Sequence, residues 1–362
     1  MLAQSSPDAL SLSPSRRRWY RWLNWLRITK LYKWEYWPFW FFYIPLYFYW
    51  LWLGLKARSI VFFSAANPLM ELGGFSAYSK YNVLRRIPID HRPTTRLIQD
   101  ESQRANVAAI MAMAGLSFPI VAKPDRGERG RGVARIHSLG EMQGYFAQEH
   151  QSIILQELIA YPLELGVMYY RMPNEETGHI SSVVQKEFLT VIGDGQSTIG
   201  ELVQKHERYV LFYKHLKNKY PERMAEILPA GQAQIIEPIG NHSRGTIFRD
   251  ARHRITPELI QVFDRISQQI DGFFFGRYDL RAESWENLYA GKNFKIMELN
   301  GANSEPAHIY DPDMPIWKAY RDLFAHWRVL YKISVQNRAR GIHYSKSSLA
   351  LRRVWRHLRT GD

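Results

Sequence analysis

Cysteine is absent from the 362 residues. Its absence excludes disulfides, thiolate metal centres and a cysteine nucleophile, and it agrees with a cytosolic setting. The chain also lacks the Gly-Lys-Ser/Thr ending of a P-loop and the Gly-x-Ser-x-Gly elbow of a serine hydrolase. Acidic residues are few, 34 against 48 Lys/Arg, which leaves a net charge of +14. With 46% hydrophobic and 23% charged residues the composition is globular, and the length suits about two domains. No internal repeat is visible.

The positive charge is concentrated at the ends. Residues 1–36 carry seven Lys/Arg against Asp8 and Glu35, residues 328–362 carry nine against Asp362 alone, and the centre is nearly neutral. A nucleic-acid enzyme would line its working groove with the excess charge, so no nucleic-acid partner is expected. Basic ends point instead to an anionic membrane surface. Trp19, Trp22, Leu23 and Leu26 recur at helical spacing among Arg17, Arg18, Arg21 and Arg27; Leu351, Val354, Trp355 and Leu358 do the same among Arg352, Arg353, Arg356 and Arg359. Both read as interfacial helices. Residues 1–15, rich in Ser and Pro, read as disordered.

Trp37 to Leu55 holds no charge at all. As one helix the run would reach across a hydrocarbon layer of roughly 30 Å. Its many Trp and Tyr residues favour the headgroup level, and Pro38 and Pro45 invite a break. The run is expected to re-enter or lie in the interface, with both basic ends on the cytoplasmic leaflet, rather than to cross once. A buried core helix is the competing reading.

The chemistry is carried elsewhere. Phe275, Arg277 and Asp279 alternate on one predicted strand, and Ile296, Glu298 and Asn300 on another. Paired, these strands place the hard oxygen ligands Asp279, Glu298 and Asn300 on one face beside Arg277, suited to Mg²⁺ shared with phosphates. Two ordinary strands with solvent-facing acids would fit equally well in isolation. Residues 118–123 read as a strand ending in Lys123, followed by Pro124 and a loop whose Gly127, Gly130 and Gly132 let backbone N–H groups close over phosphates. The strand at Ile153–Gln156 runs into a connector, Gln156, Glu157 and Ile159, able to offer backbone groups to an adenine edge; Glu164 just beyond could accept both ribose hydroxyls.

Taken together, these motifs resemble the ATP-grasp superfamily, in its D-alanine–D-alanine ligase, glutathione synthetase and cyanophycin synthetase branches. Gly193-Asp194-Gly195 ahead of a helix resembles a loop of the last two. The likeness covers roughly residues 76–310. It implies an α+β ATP-grasp fold, two subdomains clasping ATP between antiparallel sheets. It implies Lys80 and Lys123 as the phosphate-binding lysines, Glu164 as the ribose ligand and Lys186 as a basic group near the nucleotide or acyl phosphate. Asp279, Glu298 and Asn300 would hold two Mg²⁺ ions, with Mn²⁺ able to substitute, and Arg277 would stabilise the phosphoryl and tetrahedral oxyanions.

The expected division is a membrane-associated segment (1–59), a reduced N-terminal subdomain (60–117), the ATP-grasp domain (118–327) and a basic tail (328–362). The expected activity is ATP-dependent ligation of a carboxylate to an amine through an acyl phosphate, at the cytoplasmic face of the membrane. A kinase acting on a hydroxyl and a non-catalytic membrane scaffold are the alternatives. Homo-oligomerisation is left open. Further expectations are a strand at 60–63, helices at 76–87, 101–114, 201–213 and 257–270, and a strand at 183–188. Ser64–Pro68, Glu71–Gly74, Asn241–Gly245 and Gly301–Pro306 could each form a substrate loop or a plain turn; Ser304 is a weak candidate and His308 a weaker one.

Overall fold

The structure, a computed structural model, describes residues 33–348 except 77, 128, 129, 207, 239 and 241–244. The two expected interfacial helices at the chain ends, and Asn241 to Arg244, lie outside the described residues.

In the described residues a 3₁₀ turn at Trp34–Tyr36 leads to helices α1 (Phe39–Phe42) and α2 (Ile44–Ala57), followed by single 3₁₀ turns at Phe62–Ala65 and Glu71–Gly74 and by α3 (Lys80–Leu84). Strand β1 (Thr95–Ile98), α4 (Glu101–Ala105) and α5 (Val107–Ala114) come next. Then follow β2 (Ile120–Pro124), β3 (Ala134–Ile136), α6 (Leu139–Gln148) and β4 (Ile153–Glu157). These four strands form one antiparallel sheet in the order β1-β4-β2-β3. Its core joins Ile98, Ile120 and Leu155 to Val107 and Met111 of α5 and Met142 and Phe146 of α6.

A second antiparallel sheet is built from β5 (Leu163–Tyr170), β6 (His179–Glu187), β9 (Ile247–Asp250), β10 (Phe275–Ala282) and β11 (Phe294–Asn300), ordered β11-β10-β5-β6-β9. Between β6 and β9, a small lobe contains the antiparallel pair β7 (Leu189–Ile192) and β8 (Ala233–Glu237), connected through helices α7 (Ile199–Lys205), α8 (Tyr213–Lys219) and α9 (Pro221–Ala225). Helix α10 (Pro257–Gln268) starts where Thr256 accepts the Leu259 N–H and Pro257 occupies the first turn. Its Leu259, Val262, Phe263 and Ile266 are buried at helical spacing against Tyr278, Leu280, Val167 and Tyr169 on one face of the second sheet, beside α11 (Trp285–Tyr289). Strand period two then commits Arg277, Asp279, Arg281, Glu164 and Met168 to the opposite face.

That opposite face is covered at one end by the chain's beginning and its long helix α12 (Ile316–Ala339). Leu53 of α2, Phe62 and Phe63 pack with Met168, Phe275, Leu330 and Ile333. The expected strand at 60–63 is therefore absent: Ile60–Phe63 has strand-like composition, but Phe62 and Phe63 are buried in a 3₁₀ turn whose packing outweighs their propensity. The helix expected at 201–213 stops at Lys205, and the 76–87 helix shrinks to Lys80–Leu84. Residues 60–117 are shared between the two sheets: Val61 to Phe75 pack on the second sheet, while β1, α4 and α5 belong to the first.

The uncharged run is not one rod. It breaks at Tyr43, with Pro38 at the start of α1 and Pro45 in the first turn of α2. Among the described residues no helix is long and apolar enough to cross a membrane. Phe42, Leu46 and Leu53 are buried, whereas Phe48, Leu51, Trp52 and Leu55 are exposed.

The 64–68 cluster resolves as structure. Asn67, fully buried, accepts from the Phe274 and Phe275 N–H groups at 2.9 Å and donates to the Gly73 and Phe275 carbonyls at 2.9 and 2.8 Å, so its amide is saturated. Gly73 and Gly74 have φ of +68° and +81°, and a Cβ on Gly74 would press on Gly301 at 2.7 Å. Asn67→Ala should cost about 2–4 kcal/mol in urea unfolding, because the Phe274 and Phe275 N–H groups and the Phe275 carbonyl lose this partner, while the Gly73 carbonyl keeps the Ala302 N–H. A cost within about 0.5 kcal/mol of the parent, the range of an ordinary surface substitution, would show that Asn67 does not hold this loop.

Candidate functional site

Antiparallel register assembles the site. Asp279 on β10 faces Glu298 on β11, and Arg277 faces Asn300. On the other side of β10, Arg281 faces Glu164, which in turn faces Lys186 on β6. Lys186 reaches past its partner over Gly166: its Nζ is 3.2 Å from Glu164 Oε1 and 3.1 Å from Asp279 Oδ1. A Cβ on Gly166 would lie 3.5 Å from Asp279 Oδ1 and 2.9 Å from Val184, so glycine keeps this crossing open. Arg277 donates to both Asp279 oxygens at 3.1–3.3 Å, and Arg281 holds Glu164 Oε2 at 2.7 Å.

The first sheet supplies the opposing cations. Lys123 Nζ donates to Gln156 Oε1 and to the Met297 carbonyl, both at 3.1 Å, thereby spanning the two sheets. Lys80 is 3.3 Å from Glu298 Oε1. Asp125, two residues after Lys123, anchors the helix that carries Lys80. Its side chain accepts from Ser79 Oγ and the Tyr81 N–H, and its carbonyl accepts from the Lys80 N–H.

Electrostatics decides the charge states. Burial alone would raise the Asp279 carboxyl, but Arg277 and Lys186 outweigh it and hold the group at about 2. Glu298 is likewise buried and yet kept below its ordinary range by Lys80 and Lys123. Burial pulls Lys123 down to about 8, partly offset by Glu298. Lys186, which burial would depress, is raised by Asp279 and Glu164. At neutral pH both acids are therefore ionised, and each is compensated by cations.

Lys80, Lys123, Gly130, Gln156, Glu157, Ile159, Glu164, Lys186, Arg277, Asp279, Glu298 and Asn300 all line one cavity of about 1000 Å³. Gly132 does not. Its φ is +67° and a Cβ would strike Pro124 at 2.7 Å, so its role is to fold the loop back on the strand. Glu157 is engaged in structure through Thr94, whose N–H donates to its carboxylate at 3.0 Å. The Ile159 carbonyl accepts from Arg281 at 3.2 Å.

The ionised pair Asp279 and Glu298 suits a divalent cation. Among the described residues no group of three or more His, Cys, Asp or Glu is placed so that it could by itself hold a metal ion. A cation here would complete its shell with phosphate oxygens and water, as Mg²⁺ prefers. Asn300 is oriented differently from the expectation. Its amide nitrogen donates to Asp279 at 2.8 Å while its oxygen accepts from Tyr78 at 3.0 Å, so ligation through oxygen requires the amide to turn.

Several residues of the site were not anticipated. Arg281 continues the Arg277-Asp279 alternation, a signal present in the sequence. Tyr78 and Asp125 had none. Glu305 lines the cavity next to Arg277, whose guanidinium donates to the Glu305 carbonyl at 3.3 Å. Burial pushes the Glu305 carboxyl up to about 7 against the Tyr310 hydroxyl, which donates to it at 2.6 Å. Ser304 donates to the Gly301 carbonyl at 2.5 Å and helps shape the loop after β11. His308 is buried between Ser182 and Asp322 at 2.7 and 3.0 Å, a structural bridge.

No family model matches the chain, and no curated protein does. Among solved structures it is similar to a bifunctional glutathione synthetase from Pasteurella multocida, at 14% identity and a TM-score of 0.36 over 68% of this chain and 36% of that one. It is also similar to the VanG D-Ala:D-Ser ligase from Enterococcus faecalis, at 13% and 0.37 over 69% and 61%. A third is the D-alanine–D-alanine ligase from Bacillus anthracis, at 13% and 0.39 over 72% and 67%. The match thus spans about a third of the length of the first and under two thirds of the second.

Glu305 yields a signed pH prediction. Its proton is held more tightly in the folded chain than at the ordinary value of 4.5, so between pH 4.5 and 7 the folded state carries the extra proton and stability falls as pH rises. Urea titrations of the parent and of Glu305→Gln should therefore diverge through this window, the parent losing ground until about pH 7 and not beyond. Parallel pH profiles would show that Glu305 is not buried as described.

Proposed function

We propose that this protein is an ATP-grasp enzyme that joins a carboxylate to an amine through an acyl phosphate, with ATP and Mg²⁺, at the cytoplasmic face of a membrane. The observation that carries this reading is the convergence of Lys80, Lys123, Lys186 and Arg277 on the ionised Asp279–Glu298 pair, between two antiparallel sheets. Such a site binds a polyphosphate and offers no protein nucleophile.

Lys80 and Lys123 would hold the phosphates, and Lys123, poised near pH 8, gains its full charge beside them. Glu164 would take the ribose hydroxyls, positioned by Lys186 and Arg281. Asp279, Glu298 and a turned Asn300 would hold magnesium, which when bound neutralises the phosphate charge. The substrate carboxylate oxygen bonds to the γ-phosphorus as the bond to ADP breaks. The amine nitrogen then attacks the acyl carbon and phosphate leaves, while Arg277 stabilises the oxyanion. The exposed apolar side of α2, flanked by Lys56 and Arg58, supports attachment to an anionic surface.

Asp279→Asn and Glu298→Gln should each lower ADP release by at least about 100-fold in a protein that still folds cooperatively, with a lowered thermal transition because Lys186 and Arg277, or Lys80 and Lys123, lose a buried counter-charge. In the parent, ADP release should require a carboxylate, and hydroxylamine should divert the product to a hydroxamate. Phosphate found on a substrate hydroxyl would make the protein a kinase and overturn the ligation chemistry.

A further inference from the structure

The cavity extends well beyond the charged cluster. From Arg277 and Asn300 it continues past Ala302 and Ser304 into a chamber bounded by Phe42, Leu46 and Trp50 of the N-terminal helices, by Val61, Phe63 and Phe75, and by Trp327 of α12. Most of this wall is apolar and buried. Its polar members are paired or uncharged except Glu305, whose buried carboxyl, pushed up to about 7, accepts from the Tyr310 hydroxyl beside Arg277 and is neutral only on the acid side of that value. Glu35 at the far wall is tied to Arg208 at 2.8 Å. His326 is held neutral by burial, far below its ordinary value, and packs tilted against Phe275 with ring centroids 4.7 Å apart. A zwitterionic amino acid would have to leave its charges unsolvated there.

The chamber also has an apolar rim. Phe39, Tyr47 and Ile60 line the cavity and are at the same time 45%, 43% and 37% exposed. They stand beside the exposed Phe48, Leu51 and Trp52 on the outer side of α2. The same short helix therefore walls the chamber with one face and presents an apolar exterior with the other. A ligand crossing this rim meets no charged group until it reaches Arg277 and, next to it, the Glu305 carboxyl.

We infer that the carboxylate substrate is an amphiphilic acid, a single carboxylate on a long apolar chain, whose head meets Arg277 while its chain fills the aromatic chamber. The inference rests on the ligase reading and adds the substrate class to it. The acid supplies the oxygen that bonds to the γ-phosphorus. ADP departs, a primary amine displaces phosphate from the acyl carbon, and the proton lost by the amine passes to a base in the site or to water. Chain length should be read directly in rate, since each methylene moved from water into the chamber raises kcat/KM by about fourfold until the space is full.

The test uses the full chain with ATP, Mg²⁺, hydroxylamine and n-alkanoic acids of increasing length, reading ADP and hydroxamate. The expected result is a steep rise with chain length and a shift of the optimum to shorter acids in Val61→Phe, which narrows the chamber. Because that shift is a crossover in preference, partial loss of folding cannot imitate it. Dodecanoate offered free and in phosphatidylglycerol vesicles tells a dissolved acid from one drawn off a bilayer. Binding of dodecanoate to the Asp279→Asn protein by calorimetry is measured separately. If acetate or amino acids form hydroxamate as fast as the long acids, the amphiphile inference falls and the ligase reading stands. If dodecanoate binds and Val61→Phe weakens it, but no acid gives a hydroxamate, the chamber stands and the ligase reading falls. If dodecanoate neither binds nor reacts, the chamber assignment is wrong.

Discussion

Everything in this structure is arranged around two carboxylates that could not be buried alone. Asp279 and Glu298 face each other across β10 and β11, and like charges so placed repel. Lys186 and Arg277 compensate the first, and Lys80 and Lys123 the second. The four cations come from β6, β10, α3 and β2, so the charge balance ties the two sheets and the helix between them into one site. Removing one charge leaves its partners buried and uncompensated, which costs more than the pair contributes. An incoming polyphosphate would enter a field already made of lysine and arginine side chains. It would compete with the carboxylates for the lysines, and a divalent cation would compete with the lysines for the carboxylates.

The two strands of the candidate site were legible because strand period two is a strong constraint. Arg277, Asp279, Glu298 and Asn300 could share a face only if their strands were neighbours, and they are. The same rule reached as far as Arg281 and was not carried there. The lysine-ended strand β2 and its glycine loop were equally visible, although of the three glycines marked for phosphate Gly127 and Gly130 line the cavity and Gly132 does not. Long-range docking was not legible. Asn67 and Asp125 look like ordinary turn residues, and their importance lies in which distant backbone groups they saturate. Asn300 was read as an oxygen donor by residue type, whereas the hydroxyl of Tyr78 sets which end of its amide points inward.

The segment from Trp37 to Phe63 shows where composition misleads and where it informs. Ile60 to Phe63 has the β-branched and aromatic makeup of a strand, but the buried Phe62 packs on Trp327 and Tyr331 of α12 and the buried Phe63 on Phe75, which fixes a 3₁₀ turn. Local preference amounts to a few tenths of a kcal/mol per residue, and burying an aromatic ring in a core outweighs it several times over. The uncharged run before it does break near its prolines, as the composition suggested. What composition could not tell is that one side of the broken run would be spent on α12 and on the cavity wall.

That division gives α2 a physical logic. A helix apolar all round belongs inside a core or inside lipid. Here Leu46 and Leu53 are covered by protein, while Phe48, Leu51, Trp52 and Leu55 are left to face outward. Two costs would normally count against such an arrangement: an apolar patch in water, and an apolar chamber beside a charged site. On the proposed reading one circumstance removes both. A bilayer covers the outer face, and the chain of an amphiphilic acid fills the inner one. The acid has only to slide past Phe39, Tyr47 and Ile60, so its tail passes from lipid to protein without crossing water. Its carboxylate, which could not follow into hydrocarbon unpaired, finds Arg277 at the one place where the chamber meets the phosphate site. The steep penalty for burying an anion then selects the orientation: head toward the cations, chain toward the aromatic wall.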